Sequence, residues 1–224
     1  MLLSDILDVV VPQGWFLSVT PGTKYVTVRG AIANDVHGKN HHRVGTFGRF
    51  LRRFELLRSN GERILCSPTE NQSIFQATIG GLGLRGLITW VEFKLAPIQG
   101  TGIASETIKF SSLDEFHKLS TDSADDYEHT VAWVDCMANG ASLGRGIFTR
   151  GNHCETSVSP GKRTISMPVT PPFSLVNRMT VSLFNKAYYH SARNQTSTTH
   201  YDPFFFPLDR IMDWHRIYGP KGFM

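Results

Sequence analysis

The stretch Gly81-Leu82-Gly83-Leu84-Arg85-Gly86 satisfies the G-x-G-x-x-G spacing of a dinucleotide-binding turn, and its surroundings decide what the chain can be. That fingerprint works only with a strand before it and a helix after it, so that the pyrophosphate meets a helix N-terminus. Here the order is reversed. Residues 69–79 read as a brief helix ahead of the glycines, and residues 87–95 as a strand behind them. A dinucleotide fold of the Rossmann type is therefore refused. The glycines still suit either close backbone approach to a ligand or a tight helix-to-strand connection.

The remaining pattern mixes both periods. Leu3, Ile6, Leu7 and Val10 predict a helix over residues 3–11 with Ser4 as a cap, whereas residues 15–19 and 25–28, rich in aromatic and β-branched side chains, read as strands. Asn60-Gly61 between two apolar runs predicts a β-hairpin over 53–66 with a two-residue turn. Residues 96–104 combine Pro, Gly and no periodicity, which places a boundary between units 1–99 and 100–224. Beyond it, Ser112 and Glu115 form a capping-box pattern before a helix over 113–119. Residues 129–137 and 143–151 read as strands, 155–173 as a long Pro- and Ser-rich loop, and 174–190 as helical.

Composition removes several functions. With 23 Lys and Arg against 19 Asp and Glu, and no run of five like charges, bulk nucleic-acid binding has weak support. Three cysteines without a C-x-x-C pair argue against zinc fingers and for a reducing compartment. The apolar N-terminus carries Asp5 and Asp8 and lacks a basic n-region, so no signal peptide is expected. No window reaches the ~18 apolar residues of a membrane span. The expectation is a cytoplasmic protein, at most peripheral at a membrane.

Residues 21–42 carry the most chemistry. Gly30, Ala31, Ala33 and Gly38 would let backbone approach a flat ligand, with His37 and Lys39 as a titratable group and a cation beside it. A Gly-rich strand edge with surface histidines is the competing reading. His37, His41 and His42 have partial metal-ligand spacing, but Gly38 and Asn40 disfavour helix and no carboxylate or Cys completes the set, so no metal is expected. Trp133, Tyr188, Tyr189 and residues 204–206 could line a pocket, with core packing as the default. No G-x-S-x-G elbow is present, which leaves acyl transfer unsupported.

GAIANDVHGKNHH (30–42), Phe47-Gly48, the Asn-Gly hairpin and ATIGGLGLRGLI (77–88) together resemble the flavin-binding core of the decaprenylphosphoryl-ribose oxidase group in the vanillyl-alcohol oxidase superfamily. AWVDCM (132–137), LGRG (143–146) and FFFPLDRIMDWHRIYGPKGF (204–223) extend the likeness. The resemblance implies an α+β fold: the C-terminal lobe of a vanillyl-alcohol-oxidase-type FAD-binding domain over 1–99, followed by part of an antiparallel-sheet substrate domain over 100–224. It implies that Gly22, Thr23, Thr27, Gly30, Asn34, Val36, His37, Gly83 and Ile88 contact FAD. His37 and Lys39 would be catalytic, and Lys39, Trp133 and Tyr188 would face the substrate. Arg29 and Asn34 depart from the family pattern, standing where a Gly and a small or Cys residue are usual.

The implied activity is oxidation of a sugar hydroxyl, on a pentose that could be lipid-linked, to a keto group; a partner reductase could then complete an epimerisation. Members of the group also have an N-terminal lobe holding the FAD pyrophosphate and a later segment with a catalytic lysine, neither matched here, so a fragment is expected. Such a piece alone would bind FAD weakly and turn nothing over. The alternatives are an inert fragment serving as a binding or assembly module, and a sugar-lactone or alditol oxidase.

Overall fold

A computed structural model describes residues 1–161 and 165–220. The chain divides into two compact units, Met1–Thr101 and Gly102–Met224.

In the first unit, helix α1 (Leu3–Val10) buries Leu3 and Leu7, one turn apart. Ser4 is not its cap. Leu2 holds that position, and the Asp5 carboxylate accepts a 2.7 Å hydrogen bond from the Leu2 N–H. Strand β1 (Trp15–Leu17) pairs antiparallel with β5 (Leu95–Pro97), so the two ends of the unit meet. Between them lie α2 (Val28–Ala33), α3 (His41–Val44) and a three-stranded antiparallel sheet ordered β3 (Arg63–Cys66), β2 (Leu51–Leu57), β4 (Leu87–Phe93). Helix α4 (Gln72–Thr78) covers it, with Phe75 stacked on Phe54 at 5.1 Å between ring centroids.

Two local expectations change. The hairpin loop is three residues, not two: Gly61 N–H donates to Arg58 O at 3.0 Å and Arg58 N–H to Glu62 O at 2.8 Å. Only Gly61 takes a positive φ (+84°), as in a type I turn closed by a left-handed residue. Residues 25–28 are not a strand. The extended chain there is spent on α1, where Leu3 N–H donates to Val26 O (2.9 Å) and Ser4 N–H to Lys24 O (3.0 Å), satisfying first-turn donors that no helix can satisfy internally. Val28 then opens α2, burying Val28, Ala31 and Ile32 at helical spacing.

The second unit is built on an antiparallel sheet ordered β10 (Gln195–His200), β6 (Gly102–Phe110), β8 (Gly146–Cys154), β7 (His129–Val134). Helix α5 (Leu113–Ser123), with Ser112 accepting from the Glu115 N–H, packs Phe116 against Phe110 and Phe148. The expected long loop contains β9 (Ile165–Ser166), parallel to β11 (Ile211–Met212); its residues 162–164 lie outside the described residues. Helix α6 (Arg178–Ser191) starts at Asn177, whose side chain accepts from the Met179 and Thr180 N–H groups. Helix α7 (Tyr201–Phe205) buries Tyr201, Phe204 and Phe205, and Phe206 just beyond it is buried too, so that the run over 204–206 is core.

Candidate functional site

The glycine fingerprint sits as the sequence order requires, with α4 before it and β4 after it, so no helix N-terminus faces Gly81–Gly86. It meets α2 instead. Gly80 N–H donates to Ile32 O (3.0 Å) and Leu82 N–H to Ala33 O (2.8 Å), which joins the second glycine segment to the C-terminal end of α2. Gly30 and Asn34 therefore belong to the same small piece of structure as Gly83, although about fifty residues separate them in the chain.

Thr27 caps α2, its hydroxyl oxygen accepting from the Gly30 N–H at 3.0 Å. Gly30 lies on that helix, neither in a strand nor at a strand edge. Asn34 closes the far end: its backbone N–H and its side-chain amide both donate to Gly30 O, at 3.0 and 2.9 Å. This accounts locally for Asn34 where a small residue is usual, and Arg29 points outward, exposed. Val36 N–H bonds Ala31 O, and Val36 O accepts from Phe47 N–H. A side chain at Gly22 or Gly83 would meet nothing within 4 Å, so both present open backbone. Ile88 is buried at the start of β4, and Thr23 accepts through its hydroxyl from the Tyr25 N–H.

His37 and Lys39 follow directly. His37 is exposed, bridged through its backbone to Thr46, with its ring edge-on to His41 at 5.4 Å. Gly38 between them lies against other backbone: a Cβ there would come to 2.8 Å from Thr20 O and 3.1 Å from Thr20 N, and Asn40 donates to Ser18 O at 2.8 Å. Burial pushes the Lys39 ammonium below the usual lysine range. Gly38→Ala should accordingly cost about 1–3 kcal/mol, because the opposing atoms are backbone and cannot rotate away. A urea midpoint equal to wild type would show that the segment shifts without strain.

In the second unit Trp133 on β7 and Tyr188 on α6 form an edge-to-face pair, 4.9 Å between centroids and 78° between planes. What holds them is a buried cluster that the sequence reading passed over. Asp135 accepts from Arg145 Nε (3.0 Å) and Nη2 (2.8 Å), from Asn185 Nδ2 (2.7 Å) and from the Met137 N–H (3.1 Å). Asp135 lies two residues past Trp133 and Asn185 three before Tyr188, so this lock sets the aromatic corner. The one available signal was a carboxylate at the end of an apolar strand, in AWVDCM. Tyr189 points elsewhere, its hydroxyl donating to Phe110 O.

Among the described residues one His and carboxylate group is close enough to hold a metal: Glu128, His129 and His153, with ligand atoms within 4.8 Å of one another. Phe205 packs against both imidazoles, and none of the residues expected at the site takes part.

No protein-family model matches the chain. It is 32% identical, over 99% of its length and 51% of the relative's, to decaprenylphosphoryl-β-D-ribose oxidase of Mycolicibacterium smegmatis. A Neurospora crassa protein described as a D-arabinono-1,4-lactone oxidase is 33% identical over 42% of the chain and 16% of the relative. Rat (Rattus norvegicus) Δ24-sterol reductase is 30% identical over 38% and 16%. The likeness to the ribose oxidase covers nearly the whole chain, and the others are oxidoreductases too. The chain spans about half the length of the ribose oxidase it matches.

Proposed function

We propose that this chain is the flavin-ring and substrate-facing part of an FAD-dependent oxidoreductase that converts a sugar hydroxyl to a keto group, its substrate a pentose joined to a lipid phosphate. The observation that carries the reading is the joining of the two glycine segments at the end of α2, with His37 and Lys39 immediately downstream. Open backbone at Gly22 and Gly83, beside a helix closed at both ends by Thr27 and Asn34, fits a flat ring system. The similarity to the ribose oxidase supports the choice of substrate.

Oxidising a carbinol removes a hydride from carbon and a proton from oxygen, and FAD, when bound, supplies the hydride acceptor. His37 would hydrogen-bond the reacting hydroxyl, fix its orientation and take up the proton it loses. Lys39 would bind neighbouring sugar oxygens or the phosphate, and the Trp133 and Tyr188 pair would contact the sugar face. In this reading residues 1–99 belong to the flavin-binding domain and 100–224 to the substrate domain.

The test is anaerobic addition of candidate sugars to the purified flavoprotein. Bleaching of the oxidised flavin bands by a lipid-linked pentose is expected. Bleaching only by an aldonolactone would favour the lactone-oxidase alternative, and no bleaching by any sugar would refute the reading.

Lys39 carries its own pH signature. Its folded pKa is lowered, so between that value and the unfolded ~10.4 the unfolded chain binds the extra proton. Stability must then rise with pH across that window. Lys39→Met should flatten this rise in urea midpoints and raise KM more than it lowers kcat. An unchanged pH slope would place the ammonium in water.

A further inference from the structure

Across the pairing of β7 with β8, His129 stands opposite Gly151, and His153 lies two residues further along β8 on the same face of the sheet. Glycine puts no side chain between them, so the two imidazoles meet edge to face, 5.5 Å between ring centroids and 77° between planes. Phe205 of α7 packs on both, edge-on to His129 at 4.8 Å and stacked on His153 at 5.7 Å, which fixes the ring planes. Glu128, one residue before β7, brings a carboxylate to the same place. Its Oε2 lies 3.6 Å from His129 Nε2 and accepts from the His153 N–H at 3.3 Å. The backbone of Glu128 is held from β8 as well: its N–H donates to Asn152 Oδ1 (2.6 Å), and Asn152 Nδ2 donates to Asp126 O (3.0 Å).

Two imidazoles and a carboxylate, with ligand atoms within 4.8 Å of one another, are the donor set of a divalent transition metal ion; Mg²⁺ and Ca²⁺ take oxygen ligands instead. Ligand bonds of ~2.0–2.1 Å at tetrahedral angles set neighbouring donor atoms ~3.3 Å apart and the centroids of two bound imidazoles roughly 5 Å apart. The observed 3.6 and 5.5 Å lie close to both, and rotation of the half-exposed Glu128 side chain closes the remainder. His129 is buried while Glu128 faces solvent, which gives the place a fixed inner wall and an open way in. We propose that Glu128, His129 and His153 bind one divalent transition metal ion of the zinc type, with water in the fourth position. Bound there, the ion staples the start of β7 to the end of β8 beneath Phe205. None of the three is among the residues proposed to meet flavin or sugar.

The proposal does not depend on the flavin reading, because metal uptake is measured without turnover. Untagged protein, expressed from its whole reading frame and stripped with a chelator, is titrated with Zn²⁺ by calorimetry and with Co²⁺ by visible absorption. One ion per chain is expected at micromolar concentration, with the intense visible bands of four-coordinate cobalt. Glu128→Gln changes a half-exposed side chain without changing its shape, so it should fold as wild type and bind at least about tenfold more weakly. His153→Leu keeps an apolar side chain against Phe205 and should lose the cobalt bands. His41→Ala, which alters the histidines of the first unit instead, should bind as wild type does. No zinc uptake by wild type, or equal binding by Glu128→Gln or His153→Leu, would overturn the proposal. So would loss of binding in His41→Ala, which would assign the ion to His37, His41 and His42.

Discussion

Under the proposed function, His37→Ala is expected to lower turnover on the order of a hundredfold at matched flavin content, while stability moves by less than about 1 kcal/mol. The two effects separate because of where the ring sits. It is exposed and touches His41 edge-on, and the structural work at this position is done by the backbone bridge to Thr46, which alanine keeps. Nothing in the core loses volume. What is lost is a group able to hold the reacting hydroxyl in one orientation. Steady-state rates and urea denaturation of the same two preparations check both halves. Turnover equal to wild type would remove His37 from the chemistry, and a large stability loss would make it a packing residue.

In the second unit, Asp135→Ala should destabilise strongly, by roughly 3–5 kcal/mol. The carboxylate is 2% exposed and the Arg145 side chain 12%. Removing it strands a buried guanidinium and leaves the Asn185 amide without its acceptor. Burial alone would push the Asp135 carboxyl up, but hydrogen bonds from Arg145, Asn185 and Met137 outweigh it and hold the group below the usual carboxylate range. The stability it contributes is present above the unfolded value near ~3.9 and lost as pH falls through the lowered folded value. Asp135→Asn keeps the shape and part of the bonding, so it should fall between wild type and alanine. In the proposed reading, where Trp133 and Tyr188 face the sugar, KM should also rise in both variants. A loss under about 1 kcal/mol in Asp135→Ala would mean that Arg145 and Asn185 find other partners.

The parts of the fold that could be read from the chain were those with local causes. The stripe of Leu3 and Leu7, the Gly61 turn, the Ser112 cap and the helix-glycine-strand order around Gly81–Gly86 each rest on neighbours within a few residues. The strand expected over residues 25–28 failed because Tyr-Val-Thr-Val has strand composition, and only tertiary structure showed its hydrogen bonds going to α1. Reading Gly30–Ala33 as part of a strand edge failed for the same reason, since the Thr27 cap becomes visible only once the chain turns there. In the first unit, His37 and Lys39 stood out by residue type. In the second, the Asp135, Arg145 and Asn185 lock did not, since its members are ten and fifty residues apart and share no period. The two-residue pairing of β9 with β11 was illegible for the same reason.

Under the proposed function the first unit's glycine-rich backbone makes a wall for a flavin ring. The measurement is an FAD titration, followed by flavin fluorescence quenching, of the protein expressed from its whole reading frame, beside its Gly22→Val variant. Gly83 takes a φ of +75°, where a β-branched side chain would strain the backbone, whereas a side chain at Gly22 meets no protein atom within 4 Å and needs no left-handed backbone. A loss of affinity at Gly22→Val with an unchanged urea midpoint therefore comes from the ligand side of the wall. The prediction is a stoichiometric complex at micromolar concentration for wild type, with affinity reduced at least about tenfold in a variant of unchanged stability. A wild-type protein that takes up no flavin, or a variant that binds it as tightly, would contradict the assignment.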